Sequence, residues 1–249
     1  LAMAARICYN GELTTPDTAG IRPEALTSMP ALYQIIHTTA HRALHPEMHL
    51  EIVRQAFAAV YPDRPCPAPD TENLPAEQVY LAVAKRFALL GARNFLFETL
   101  SAEDGVLEAI RALKQTVPEA FVLVSFAVLP DGYTREGQHC RALVRRMADS
   151  GLVDAVGLNC VSAPGAMRTL VQQLGQVGIP LSVMPNAGYP VVTRTQVQYR
   201  GKPDYFASEL ARLAAEGVRI LGGCCGTTPA HIAALRKALD ALPEGLPIV

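Results

Sequence analysis

The sequence predicts an α/β fold built on parallel strands, and three observations lead there. Helix-patterned and strand-patterned runs alternate from residue 76 onward. The predicted strands end near Thr99, Val128, Cys160, Gly188 and Gly226, at intervals of 29, 32, 28 and 38 residues. Repeats of that length suit a strand, a right-handed helical crossover and the loops between them. The polar and special residues Glu98, Asn159, Cys160, Asn186, Cys224 and Cys225 all fall at the C-terminal ends of these strands. A (β/α)8 barrel collects its chemistry on that face, and an open doubly wound sheet also places ligands beyond strand ends, so the pattern admits both.

The elements follow in order. "EQVYLAVAKRFALLGA" has apolar residues at helical spacing and stops on Gly91. "NFLFET" reads as a short buried strand, and "AEDGVLEAIRALKQT" as the helix after it. Strand "AFVLVSFAVL" precedes helix "GQHCRALVRRMADSG", and strand "AVGLNC" precedes helix "GAMRTLVQQLGQVG". Strand "LSVMPNAG" leads to helix "KPDYFASELARLAAEG", and strand "ILGGCCG" to a closing helix with Thr228 as N-cap and Pro229 in its first position. Asp131–Gly132 is expected to make a turn.

Residues 1–75 are less regular and are read as a divergent N-terminal part of the same fold. "ARICYNGEL" has strand character, "MPALYQIIHTTAHRAL" and "HLEIVRQAFAAV" are helical in pattern, and "YPDRPCPAPDTENLP" is a proline-rich loop. His37 and His41 share one face of the first of these helices. No acidic residue lies between them and Pro46 follows, so a solvated helix face is expected in preference to a metal site. In all, six strands are legible, two fewer than a closed eight-stranded barrel requires.

Bulk properties narrow the function. The chain of 249 residues is half hydrophobic, enough for one substantial core, and carries a net charge of −1. With a pI near 6.7, nothing points to nucleic acid or to an anionic membrane surface. No apolar run approaches the roughly 18–20 residues of a membrane span, and the opening "LAMAARICYN" lacks a secretory pattern. Six cysteines, at 8, 66, 140, 160, 224 and 225, do not form the dense framework of a small secreted protein. A cytoplasmic setting is therefore expected.

The chemistry concentrates in "ILGGCCGTTPAHI", where Cys224 and Cys225 stand side by side after two glycines. Neighbouring cysteines make a poor disulfide with each other, because the bond demands a particular separation and torsion. Cys160 ends another strand on the same predicted face, 64 positions earlier. Gly222 and Gly223 leave room and backbone freedom for the thiols to turn inward. Three soft sulfur ligands with a fourth position open match a catalytic zinc and select against magnesium or calcium. The competing reading makes Cys160 a small buried hydrophobe and the cysteine pair incidental.

"GLNC" together with "LGGCCGTTPAHI" resembles the zinc-dependent homocysteine S-methyltransferase family, which includes the homocysteine-binding part of cobalamin-dependent methionine synthase and the betaine- and S-methylmethionine-using enzymes. "FLFET" and "MPNAG" resemble family segments in the right order, and the resemblance covers residues 76–240. It implies a (β/α)8 TIM-like barrel, incomplete or divergent over its N-terminal strands, with methyltransferase-like βα units over 76–249. It also implies Zn2+ held by Cys160, Cys224 and Cys225, with Glu98 binding the amino group of homocysteine and Asn186 close to the metal. Ser125 would line the substrate pocket. The family's opening DGAMGT-type segment and TNTF-bearing strand have no counterpart here, so another chain or subunit completing the barrel is one expectation.

On this reading the protein is a homocysteine S-methyltransferase that makes methionine. A free thiol titrates near 8.5, and a bound zinc would remove the substrate's proton at neutral pH. The partners implied are homocysteine and a methyl donor, either a small molecule such as S-methylmethionine or a corrinoid protein. Glu98 as a mere salt-bridge partner and Asn186 as a turn former are the plainer readings of those residues. Two rival functions are a catalytically degenerate zinc-binding relative and a redox switch formed by Cys224 and Cys225.

Overall fold

The computed structural model describes residues 76–89, 92–192 and 197–243. The candidate strand "ARICYNGEL", the first two helical runs, the histidine pair and the proline-rich loop lie outside the described residues, as do Cys8 and Cys66.

Helix α1 (Ala76–Leu89) leads into strand β1 (Asn94–Leu100), followed by α2 (Val106–Thr116) and β2 (Phe121–Ala127). Next come α3 (Cys140–Asp149), β3 (Ala155–Asn159), α4 (Pro164–Leu174) and β4 (Leu181–Met184). A short hairpin, β5 (Pro190–Val192) and β6 (Val197–Tyr199), precedes α5 (Pro203–Ala215), β7 (Ile220–Leu221) and α6 (Pro229–Asp240). Strands β1, β2, β3, β4 and β7 form one sheet in that order, every neighbouring pair parallel. The order never reverses, whereas a doubly wound sheet must reverse at its switch point.

Burial decides the same question independently. Phe95, Phe97, Val122, Val124, Phe126, Val156, Leu158, Leu181 and Val183 alternate along the strands and pack into one cluster with apolar residues of all six helices. The opposite face carries a smaller cluster of Leu96, Leu123 and Ala155, with Ile220 against it. All the described helices thus cover one face of the sheet, as on the outside of a barrel, while the other face looks inward. The fold is of the (β/α)8 class, with five of its strands among the described residues.

Helix registers explain the outer layer. In α2 the buried residues are Val106, Ala109, Ile110 and Leu113, and in α4 Met167, Leu170, Val171 and Leu174, each set a stripe at three- and four-residue spacing. Tyr80 of α1 meets Phe97 of β1 edge to face at 5.8 Å. Pro164, Pro203 and Pro229 start α4, α5 and α6, where the missing N–H costs nothing.

Two local features depart from the sequence reading. The hairpin β5–β6 was not expected, although Val197, Gln198 and Tyr199 alternate apolar and polar. The strand expected over "ILGGCCG" is regular only at Ile220–Leu221, because Gly222 and Gly223 leave the pleat. Its pairing to the neighbouring segment nonetheless continues, through Gly222 N–H to Val183 O at 3.2 Å and Cys224 N–H to Pro185 O at 2.8 Å. The Asp131–Gly132 turn is present: the Asp131 carboxylate accepts the Tyr133 N–H at 3.0 Å.

Candidate metal centre

The sulfur atoms of Cys160, Cys224 and Cys225 all lie within 4.8 Å of one another and are buried. Those of Cys160 and Cys225 are 3.6 Å apart. Cys160 follows β3, and the pair follows β7, so both approach from C-terminal strand ends.

The segment after β4 joins them. Its Met184 carbonyl accepts the Cys160 N–H at 3.1 Å, and its Pro185 carbonyl accepts the Cys224 N–H. Asn186 N–H donates to Ser162 O at 3.1 Å, and Ala187 N–H to Cys225 O at 2.8 Å. The Asn186 carboxamide oxygen accepts the Cys225 N–H at 3.0 Å. Asn186 is therefore buried between the two cysteine loops and holds the second by its backbone. Residues 184–187 act as a continuous rail with one cysteine loop on each side.

Backbone strain gathers at the same place. Cys160 and Val161 have φ of 60° and 55°, and Thr99 at the end of β1 has 62°. Such angles cost non-glycine residues about 1–3 kcal/mol each, most for a β-branched side chain. At Thr99 the strain accompanies a bulge: Phe97 pairs with Val124, but Leu100, not Thr99, pairs with Phe126. The displaced Thr99 N–H donates instead to the Asn159 side-chain oxygen at 2.9 Å. The Asn159 amide donates in turn to the Thr99 hydroxyl at 2.8 Å and reaches Cys224 Sγ at 4.0 Å. Asn159 is fully buried and was not singled out for a role from the sequence, although it stands in the "GLNC" motif beside Cys160.

Of the two properties expected of the glycine pair, room is used at Gly223 and unusual backbone angles at neither. Gly222 and Gly223 do not use left-handed angles; Gly226 does, at φ 75°. Gly223 is required for space, since a Cβ there would stand 2.2 Å from the Thr227 hydroxyl. A Cβ on Gly226 would stand 2.2 Å from the Cβ of Tyr199. Below the loop, the first turn of α6 is closed by His231, whose Nδ1 accepts the Thr228 N–H at 3.2 Å. Its Nε2 consequently carries the proton and donates to Gly201 O at 3.0 Å.

Glu98 is buried at 5% exposure on the Leu96 side of β1, facing the inside of the sheet. Ser125 and Ser182 lie on that side too, aligned through Gly157. Their buried hydroxyls have no hydrogen-bond partner among the described residues. Cys140, by contrast, is packed in the helix-side core.

The donor set suits a thiophilic cation. Tetrahedral zinc with Zn–S bonds of about 2.3 Å separates its sulfurs by roughly 3.8 Å. The 3.6 Å between Cys160 and Cys225 is close to that value, and the Cys224 sulfur lies within 4.8 Å of both. Hydrogen bonding among the three thiols, then burial, pushes the Cys224 thiol well above its ordinary pKa. A divalent cation would offset that penalty. Burial, and then the neighbouring Cys225, likewise raise the Tyr199 phenol, which keeps its proton. Cys224 and Cys225 are not joined by a disulfide.

A one-faced α/β sheet of sequential parallel strands, with three thiols at its C-terminal edge, defines a barrel-type protein with a sulfur-rich centre. The family model described as homocysteine S-methyltransferase matches residues 50–239, more than half of the chain. The chain belongs to that family. The match begins ahead of residue 76, where the sequence reading starts its methyltransferase-like units. The chain is 37% identical over 161 residues to the methionine synthase of Mycobacterium leprae, a match covering 62% of this chain and 13% of that protein. It is 33% identical over 132 residues to the homocysteine S-methyltransferase of Escherichia coli, covering 52% of this chain and 43% of that enzyme. The chain thus spans well under two thirds of these relatives. In structure it is similar to the metallated form of the homocysteine methyltransferase MmuM from Escherichia coli. That similarity has a TM-score of 0.52 at 24% identity and covers 87% of this chain and 76% of the other. The oxidized form gives a TM-score of 0.53, with 80% and 74% covered. Among the described residues no helix is long and apolar enough to cross a membrane.

Proposed function

We propose that this protein transfers a methyl group to the sulfur of homocysteine, forming methionine, at a zinc centre held by Cys160, Cys224 and Cys225. The reading rests chiefly on the convergence of three sulfurs from two distant loops within 4.8 Å. Family membership supplies the reaction class. Zinc in such a thiolate site supplies a way to deprotonate a substrate thiol near neutral pH.

The chain's own residues bind and orient. Glu98, buried on the inward face, takes the substrate ammonium, a pairing that offsets the cost of burying a carboxylate. Asn186 and the 184–187 rail hold the cysteine loops at a constant spacing, and Asn159 ties Cys224 to the bulged end of β1. In the transfer, a sulfur–carbon bond forms to the methyl group as the donor–methyl bond breaks, and the thiol proton leaves to solvent. The protein's main contribution is to keep sulfur and methyl in line.

The donor is either a small onium compound or a methylated corrinoid protein. The deciding experiment measures zinc per chain and then methionine formation from homocysteine. The donor panel is S-methylmethionine, S-adenosylmethionine, betaine and methylcobalamin. One zinc per chain with methionine from at least one donor is expected. Full zinc occupancy with no product from any donor would overturn the catalytic reading.

A further inference from the structure

Tyr199, the last residue of β6, lies against the cysteine cluster without belonging to the parallel sheet. It is partly buried against Cys160, Cys224 and Cys225, and Cys225 is the sulfur that bears most on its phenol. Three constraints hold it there. Its Cβ fills the space over Gly226. Two residues later the chain passes so close to Ala187 that a Cβ on Gly201 would overlap the Ala187 carbonyl. The Gly201 carbonyl is in turn bonded by His231 of α6. The hairpin is therefore clamped to both the rail after β4 and the helix after the cysteine pair, and its tyrosine comes to rest on the sulfurs.

We propose that Tyr199 is a positioning residue of the thiolate centre, donating its O–H to Cys225 Sγ. In that role it fixes the direction of this ligand and tempers its donor strength. The inference rests on the zinc reading above. Its physical basis is that three thiolates around one divalent cation leave excess negative charge. A buried donor to one sulfur stabilises that charge and orients the ligand, as partners behind metal ligands commonly do.

The test compares the full chain with Tyr199→Phe, which keeps the ring and its packing but removes the hydroxyl. Tyr189→Phe, an exposed tyrosine just before β5, serves as the control. Zinc affinity is measured by competition with a chromophoric chelator, and the sulfur-to-cobalt charge-transfer band is recorded after Co2+ loading. The expected result is one metal per chain in all three proteins. Tyr199→Phe should bind zinc about 10- to 100-fold more weakly, with its charge-transfer band moved to lower energy, and Tyr189→Phe should match the wild type. Unchanged affinity and an unchanged band in Tyr199→Phe would overturn the assignment while leaving the centre intact. A wild-type chain that takes up no metal would overturn both.

Discussion

The sulfurs of Cys160 and Cys225 meet at 3.6 Å although 65 positions separate them. Nothing local to either residue enforces that contact. It follows from the sequential order of β3, β4 and β7, which sets the two loops on either side of the segment after β4. The loops are held by hydrogen bonds of their backbone, so their placement should survive loss of one thiol while metal binding does not.

Cys160→Ser and Cys225→Ser should each lower bound zinc at least about tenfold, since a three-sulfur site draws its affinity from all its ligands together. Cys140→Ser should retain full zinc, because Cys140 lies in the helix-side core. Elemental analysis of the purified variants decides this, and full zinc in Cys160→Ser would remove that residue from the ligand set.

Glu98→Gln keeps the shape of the side chain and removes its charge. A hydrogen bond to a charged group contributes about 1.5–3 kcal/mol, so the KM for homocysteine should rise roughly 10- to 150-fold. Zinc content should stay the same. Steady-state kinetics at saturating donor separate this from a general loss of structure, and an unaltered KM would return Glu98 to a purely structural role.

Asn159→Ala removes both hydrogen bonds to Thr99 and the amide beside Cys224. Leaving those groups unsatisfied in a buried site should cost about 2 kcal/mol, a fall in melting temperature of roughly 4–8 °C for a domain of this size. Differential scanning calorimetry gives the answer. A variant as stable as the wild type would mean that the bulge holds itself.

Gly226→Ala and Gly137→Ala form a matched pair. Both glycines have φ near 75°, but a Cβ at Gly137 meets nothing within 4 Å, whereas one at Gly226 runs into Tyr199. Gly137→Ala should lose only the conformational cost of about 1 kcal/mol. Gly226→Ala should lose more and also release zinc, as its loop and the tyrosine above it move apart. Equal melting curves and equal zinc for the two variants would contradict the close packing over the cysteine loop.

Much of this protein is written locally. Apolar spacing in the helices, the strand runs and the Pro229 start of α6 are properties of short windows, and among the described residues the structure reproduces them in order. That Cys160, Cys224 and Cys225 fall at strand ends on one face could also be read from short windows, and their sulfurs do converge. What lies outside such windows was decided by the tertiary structure. Periodicity could not separate a barrel from a doubly wound sheet; the packing of every described helix on one face does. "GGCC" looks like a strand from its neighbours, yet Gly223 is spent on space for Thr227, and regular pairing stops at Leu221. Asn159 and Tyr199 gain their importance only from residues about 60 and 26 positions away, reached through a bulge and a hairpin whose placement beside the cysteines no short window specifies. Short-range sterics and solvation act within a few residues and can be read along the chain, whereas the meeting of distant loops depends on the summed packing of all the elements between them.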